Sequence, residues 1–194
     1  MAFDDRQWKD FVGRDLDISG RLAVPELESL HVQAILQFSN GTVGLGECQI
    51  AIPVAASGPK LTSLLLSDRI EPAQGPPDPS NPLRGENFRL YLPAQSHFSS
   101  ADKLTLYYGI LDVPLNGSMH PPRLRASYAV KVGSTVVMRL PDQEIRPSGT
   151  PDRVLVLKQI DPKALQPGSY TLEVTVEDVA RASSSAQSAN FVIR

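Results

Sequence analysis

The stretch Leu165-Gln166-Pro167-Gly168-Ser169-Tyr170-Thr171-Leu172-Glu173-Val174-Thr175-Val176-Glu177-Asp178 decides the fold class. Pro167 and Gly168 are turn residues. After them Tyr170, Leu172, Val174 and Val176 alternate with Thr171, Glu173, Thr175 and Glu177. This is the period of a strand with one face on a core and the other in water. Tyr170 enters on the apolar face, so its ring is expected to be buried, and a buried phenol needs a hydrogen-bond partner. The nearest backbone groups are those of the preceding corner.

The same period recurs on both sides of this stretch. Upstream, Leu124, Ala126, Tyr128, Val130 and Val132 alternate with Arg125, Ser127 and Lys131, and Gly133-Ser134 turns the chain into a strand over Thr135 to Leu140. Leu104, Leu106, Tyr108 and Ile110 face one way, with Thr105 and Tyr107 the other; Arg153 to Ile160 adds a further strand. Phe88, Leu90 and Leu92 make a short one, and Leu61 to Ser67, with Leu64-Leu65-Leu66 unbroken, suits a strand buried on both faces. Downstream, Ala180 to Gln187 reads as a small-residue hairpin loop, and Ala189, Phe191 and Ile193 finish the sheet.

Near the start the pattern differs. Phe3, Asp4, Gln7, Trp8, Phe11, Val12 and Gly13 spell a capped helix, with Asp4 and Gln7 as a capping box and Trp8 a docking residue. Val32, Ala34, Leu36 and Phe38 then alternate with His31, Gln33 and Gln37. Asn40-Gly41 turns the chain, and Val43 to Ile52 returns it as a β-hairpin. Ala55 to Pro59 reads as a linker. The expected organisation is therefore a segment 1–58, holding the short helix and the hairpin of a partial second β unit, followed by a β-sandwich over 59–194. Short strands without intervening helices make that sandwich all-β, antiparallel and immunoglobulin-like, with Tyr170 as its tyrosine corner.

Composition excludes several functions. Nineteen Lys and Arg against 21 Asp and Glu, with no basic block, leave nothing to grip a phosphate backbone, so nucleic acid is not expected as a partner. No apolar run approaches a membrane span. The single Cys48 forms no intramolecular disulfide and reads as a small core residue. Seventeen prolines fall between apolar runs, five of them (Pro72, Pro76, Pro77, Pro79, Pro82) in a surface stretch over Glu71 to Glu86.

The segments Leu61-Thr62-Ser63-Leu64-Leu65-Leu66-Ser67-Asp68-Arg69-Ile70-Glu71-Pro72 and Leu165 to Leu172 carry a resemblance. Together with Asp78 to Leu83, Leu106 to Asp112 and Pro167 to Asp178, they resemble the C-terminal region of bacterial von Willebrand factor A-related proteins. The likeness covers roughly residues 28 to 194, more weakly before 58, and rests on shape motifs. It implies a β-sandwich from a longer exported precursor, hence a periplasmic or secreted location. The metal motif Asp-x-Ser-x-Ser of that family's adhesive domain is absent; Asp17-Ile18-Ser19-Gly20-Arg21 departs at its last position.

No catalytic constellation stands out. His31, His97 and His120 lie on separate segments without ligand spacing, and no Gly-x-Ser-x-Gly elbow occurs. Asp78, Asn81 and Glu86 offer oxygens to calcium, but a proline-stiffened surface loop accounts for them. No cofactor is expected. The expected function is a non-catalytic protein-interaction or assembly module, with a carbohydrate-binding module as the alternative. Tyr91, Tyr107 and Leu111 are the candidate partner-facing surface, expected to share one exposed sheet face. An exposed aromatic strip there favours sugar binding; an exposed apolar patch or unpaired edge strand favours protein assembly.

Overall fold

The computed structural model describes residues 29–37, 40–51, 58–74, 83–85, 87–93, 95–111, 122–145 and 153–194. The expected helix of residues 3–13, the Pro76 to Pro82 run, Asp78, Asn81, Glu86 and His120 lie outside them. Among the described residues the one helical element is a 3₁₀ turn, Pro162–Ala164, capped by the Asp161 side chain; all else regular is strand.

Strands β1 (Ser29–Gln37) and β2 (Val43–Ala51) pair antiparallel across the Asn40-Gly41 turn, with Ile35 opposite Leu45 and Val32 opposite Cys48. Gly41 has φ +83°, the left-handed conformation that glycine takes without a Cβ clash. This hairpin forms a compact unit of its own. Cys48 lies on it and is exposed, which corrects the core reading. Two strands cannot enclose a core, so a small apolar residue here stays at the surface.

The larger unit is an antiparallel β-sandwich. One sheet runs in the order β10 (Thr135–Ile145), β9 (Leu124–Val132), β12 (Gly168–Asp178), β13 (Ser183–Ile193), β7 (His97–Phe98). The other runs β11 (Arg153–Ile160), β8 (Leu104–Leu111), then β3 (Lys60–Leu61) and β4 (Leu65–Ser67), which both pair with β8. A separate ladder joins β5 (Arg69–Pro72) to β6 (Phe88–Tyr91). The connections β8 to β9, β10 to β11 and β11 to β12 each change sheet. One short pairing, β7 with β13, is parallel.

The inward faces interdigitate in a single core. Leu104, Leu106, Tyr108 and Ile110 of β8 and Val154, Val156 and Ile160 of β11 meet Leu124, Ala126, Tyr128 and Val130 of β9 and Tyr170, Leu172, Val174 and Val176 of β12. The alternation expected of β8, β9 and β12 is thus realised, except that Val132 projects beyond the core and is exposed. Tyr170, 8% exposed, stacks on Phe191 at 5.6 Å and donates its hydroxyl to the Gln166 carbonyl at 2.6 Å. The expected corner is therefore present.

Three boundaries differ from expectation. β13 starts at Ser183, and every residue of β12 from Gly168 to Asp178 has a partner on it; the loop is only the turn over residues 179–182, with Ala182 at φ +48°. The run Leu61 to Ser67 is broken between β3 and β4, where the Thr62 hydroxyl accepts the Gly109 N–H at 2.8 Å. β10 continues through Pro141 to Ile145 with two register shifts, because bulges let an edge strand carry a proline.

Candidate interaction surface

The outer face of the four-stranded sheet can be built row by row, since directly opposed residues share a face. Leu65, Tyr107 and Leu157 form one row; Gly109 and Leu155 form the next; Lys60 and Leu111 lie at the end. The β5–β6 ladder covers part of this face. Phe88 meets Tyr107 edge-on, with ring centroids 5.9 Å apart, and Leu90 is fully buried. Ser67, also buried, holds the cover down: its Oγ accepts the Arg69 N–H at 3.0 Å and donates to the Tyr91 carbonyl.

The cover stops short of β11. Leu155 and Leu157 remain 41% and 38% exposed on the outer face of that strand. β11 pairs with β8 on one side, and among the described residues nothing pairs with its other edge. Val154-Leu155-Val156-Leu157 is thus apolar on both faces, the composition of a strand made to be covered on both sides. At Gly109 a Cβ would lie 3.1 Å from the Thr62 methyl, so the backbone there is approached closely.

The three residues expected to share an exposed face do not form an exposed strip. Tyr107 is buried under Phe88, and Leu111 is half-buried at the far end of β8. Tyr91 stands on the other ladder, half-buried, with the guanidinium groups of Arg69 and Arg89 over its ring at 4.4 and 4.8 Å. Its hydroxyl donates to Glu71 at 3.0 Å, and Arg69 donates twice to the same carboxylate. These donors hold the Glu71 carboxyl below its ordinary range, and the carboxylate raises Arg69 in return. A ring already occupied by two cations offers little to a sugar.

Elsewhere, polar groups serve the fold. Tyr128 has one proton, which it donates to Gln143 Oε1 at 3.1 Å, so Tyr108 donates to the Tyr128 hydroxyl, also at 3.1 Å. Burial pushes both phenols above their ordinary range; the shared hydrogen bond adds to the rise at Tyr108 and offsets it at Tyr128. Lys158, on the core side of β11, reaches the rim, 5.1 Å from the Tyr128 ring, and donates to the Pro141 carbonyl. Buried Asp178 accepts from the Ala180 N–H and from Arg181, fastening the β12–β13 turn. His31 lies on the hairpin, 3.6 Å from Glu47, and His97 on β7. Among the described residues no three His, Cys, Asp or Glu side chains are grouped to hold a metal ion, and no helix is long and apolar enough to cross a membrane.

Leu155 and Leu157 were absent from the sequence-based surface. The signal was present in Val154 to Leu157, four consecutive apolar residues in a strand whose neighbours alternate. No family model matches this chain, and no curated protein matches it.

Proposed function

We propose that this chain is a non-catalytic protein-interaction or assembly module with an immunoglobulin-like sandwich, part of a larger exported bacterial protein. The observation that carries the reading is the β11 edge, regular over eight residues and apolar on its outer face at Leu155 and Leu157. The partner it fits is an extended segment that adds to β11 through backbone hydrogen bonds and sets alternate apolar side chains beside those leucines. The tyrosine corner and the sheet-changing connections support the immunoglobulin-like assignment. The resemblance to von Willebrand factor A-related proteins supports the exported context. The carbohydrate reading loses its platform, since Tyr107 is buried and the Tyr91 ring is occupied.

The test places a photo-crosslinking amino acid at position 157, or at Thr175 on the outer face of the opposite sheet, in the cell that naturally produces the protein. A discrete adduct from 157 only, lost when Leu155→Glu is added, is the expected result. Equal adducts from both positions, or none from 157, would overturn the proposal.

A further inference from the structure

The hairpin turn carries a reactive dipeptide. Asn40 and Gly41 are exposed, and no heavy atom lies within 4 Å of where a Cβ on Gly41 would sit. The Gly41 Cα carries only hydrogens, so no side chain stands beside its nitrogen to hinder attack. The Thr42 N–H donates to Asn40 Oδ1 at 3.0 Å. That bond polarises the side-chain carbonyl and points a donor at the oxygen on which charge gathers when its carbon is attacked, as an oxyanion hole does. Nucleophile and electrophile are adjacent in one chain, so no encounter has to be arranged.

We propose that Asn40 is a site of spontaneous deamidation. The Gly41 backbone nitrogen loses its proton to water or hydroxide and attacks Asn40 Cγ, forming a new C–N bond with Thr42 N–H on the oxyanion. The tetrahedral centre collapses, the bond from Cγ to the side-chain nitrogen breaks, and ammonia leaves with a proton from solvent. Water then opens the resulting succinimide. Addition at the side-chain carbonyl gives aspartate; addition at the backbone carbonyl gives isoaspartate, in which the chain runs through the β-carboxyl. Neither route needs an oxidant or a second protein.

The product has a consequence for this hairpin. From Val32 to Gly46 the sequence contains no Asp, Glu, Lys or Arg. Ile35 and Leu45, paired near the tip, are 69% and 63% exposed. Deamidation therefore puts the first carboxylate onto an aliphatic, uncharged tip.

The experiment is site-resolved peptide mass spectrometry of the intact chain after timed incubation in buffer, with and without guanidinium. Conversion at Asn40 in the folded protein is expected at a rate equal to or above that of the denatured chain. It should rise about tenfold per pH unit, because the attacking nitrogen must be deprotonated. Both isoaspartyl and aspartyl products should appear, with ammonia released in equal amount. Asn40→Gln, whose longer side chain would have to close a larger ring, should remove the signal while circular dichroism stays unchanged. Conversion in guanidinium but not in the folded protein would overturn the proposal, as would a folded-state rate independent of pH.

Discussion

At the level of single residues, the core holds the phenols Tyr108, Tyr128 and Tyr170, each hydroxyl with a partner. Tyr170→Phe keeps the ring but leaves the Gln166 carbonyl without its donor, and should cost about 1–3 kcal/mol. Tyr170→Ala adds a cavity beside Phe191 and should cost about 3–5 kcal/mol. Denaturant melts check both, and cross-linking from position 157 should survive in the Phe variant. The Tyr108–Tyr128 pair makes a pH prediction. Both folded phenols sit above the unfolded value of about 10, so the native state holds protons that the unfolded state has lost. Stability is then fully present below about pH 10 and falls as pH rises beyond it. Melts taken on either side of that pH should show the loss, and Tyr108→Phe should flatten it; an unchanged slope would mean the pair does not titrate with folding.

At the level of elements, strands with strict alternation were legible in the sequence. For β8, β9 and β12 the apolar period was read directly, and β11 was bounded at Arg153 and Ile160 as found. What failed was composition standing in for pairing. Ser183 to Gln187 looks like loop because small polar residues favour no strand, yet partners along the whole of β12 impose one. Glu71 and Pro72 open the proline-rich stretch in the sequence, whereas pairing with Phe88 to Tyr91 makes Arg69 to Pro72 a strand of a two-stranded ladder. That cover is also why Tyr107 was misread: its position faces outward on β8, and only the β5–β6 ladder, distant in sequence, buries it. Ser67→Ala should loosen this cover, costing about 1–3 kcal/mol and raising the reactivity of Tyr107 towards a phenol-modifying reagent. Ala182→Gly relieves a left-handed φ in the β12–β13 turn and should stabilise by about 0.5–1 kcal/mol.

At the level of the whole molecule, two units of unequal burial predict unequal stability. The sandwich encloses a core, whereas the β1–β2 hairpin is a single two-stranded ladder exposed along most of its length. Amide exchange measured by mass spectrometry should therefore be fast over β1 and β2 and slow over β8, β9 and β12; uniform protection would contradict the division.

The sandwich also differs from edge to edge. β10 is bent by two register shifts and carries Pro141; β7 has two residues; β3 and β4 are short and interrupted. Of the described edges of the sandwich, β11 is regular over eight residues and apolar on its outer face, whereas β13, which meets β7 only at Val192 and Ile193, presents small and polar residues from Ser183 to Asn190 along its remaining edge. Under the proposed function, the edge that matches an apolar partner strand is β11. A union that uses β11 alone on each body closes after one step, giving a pair or a capped end. Lys158, charged and turned toward the core side of that same edge, narrows the union further to partners that leave its rim position undisturbed.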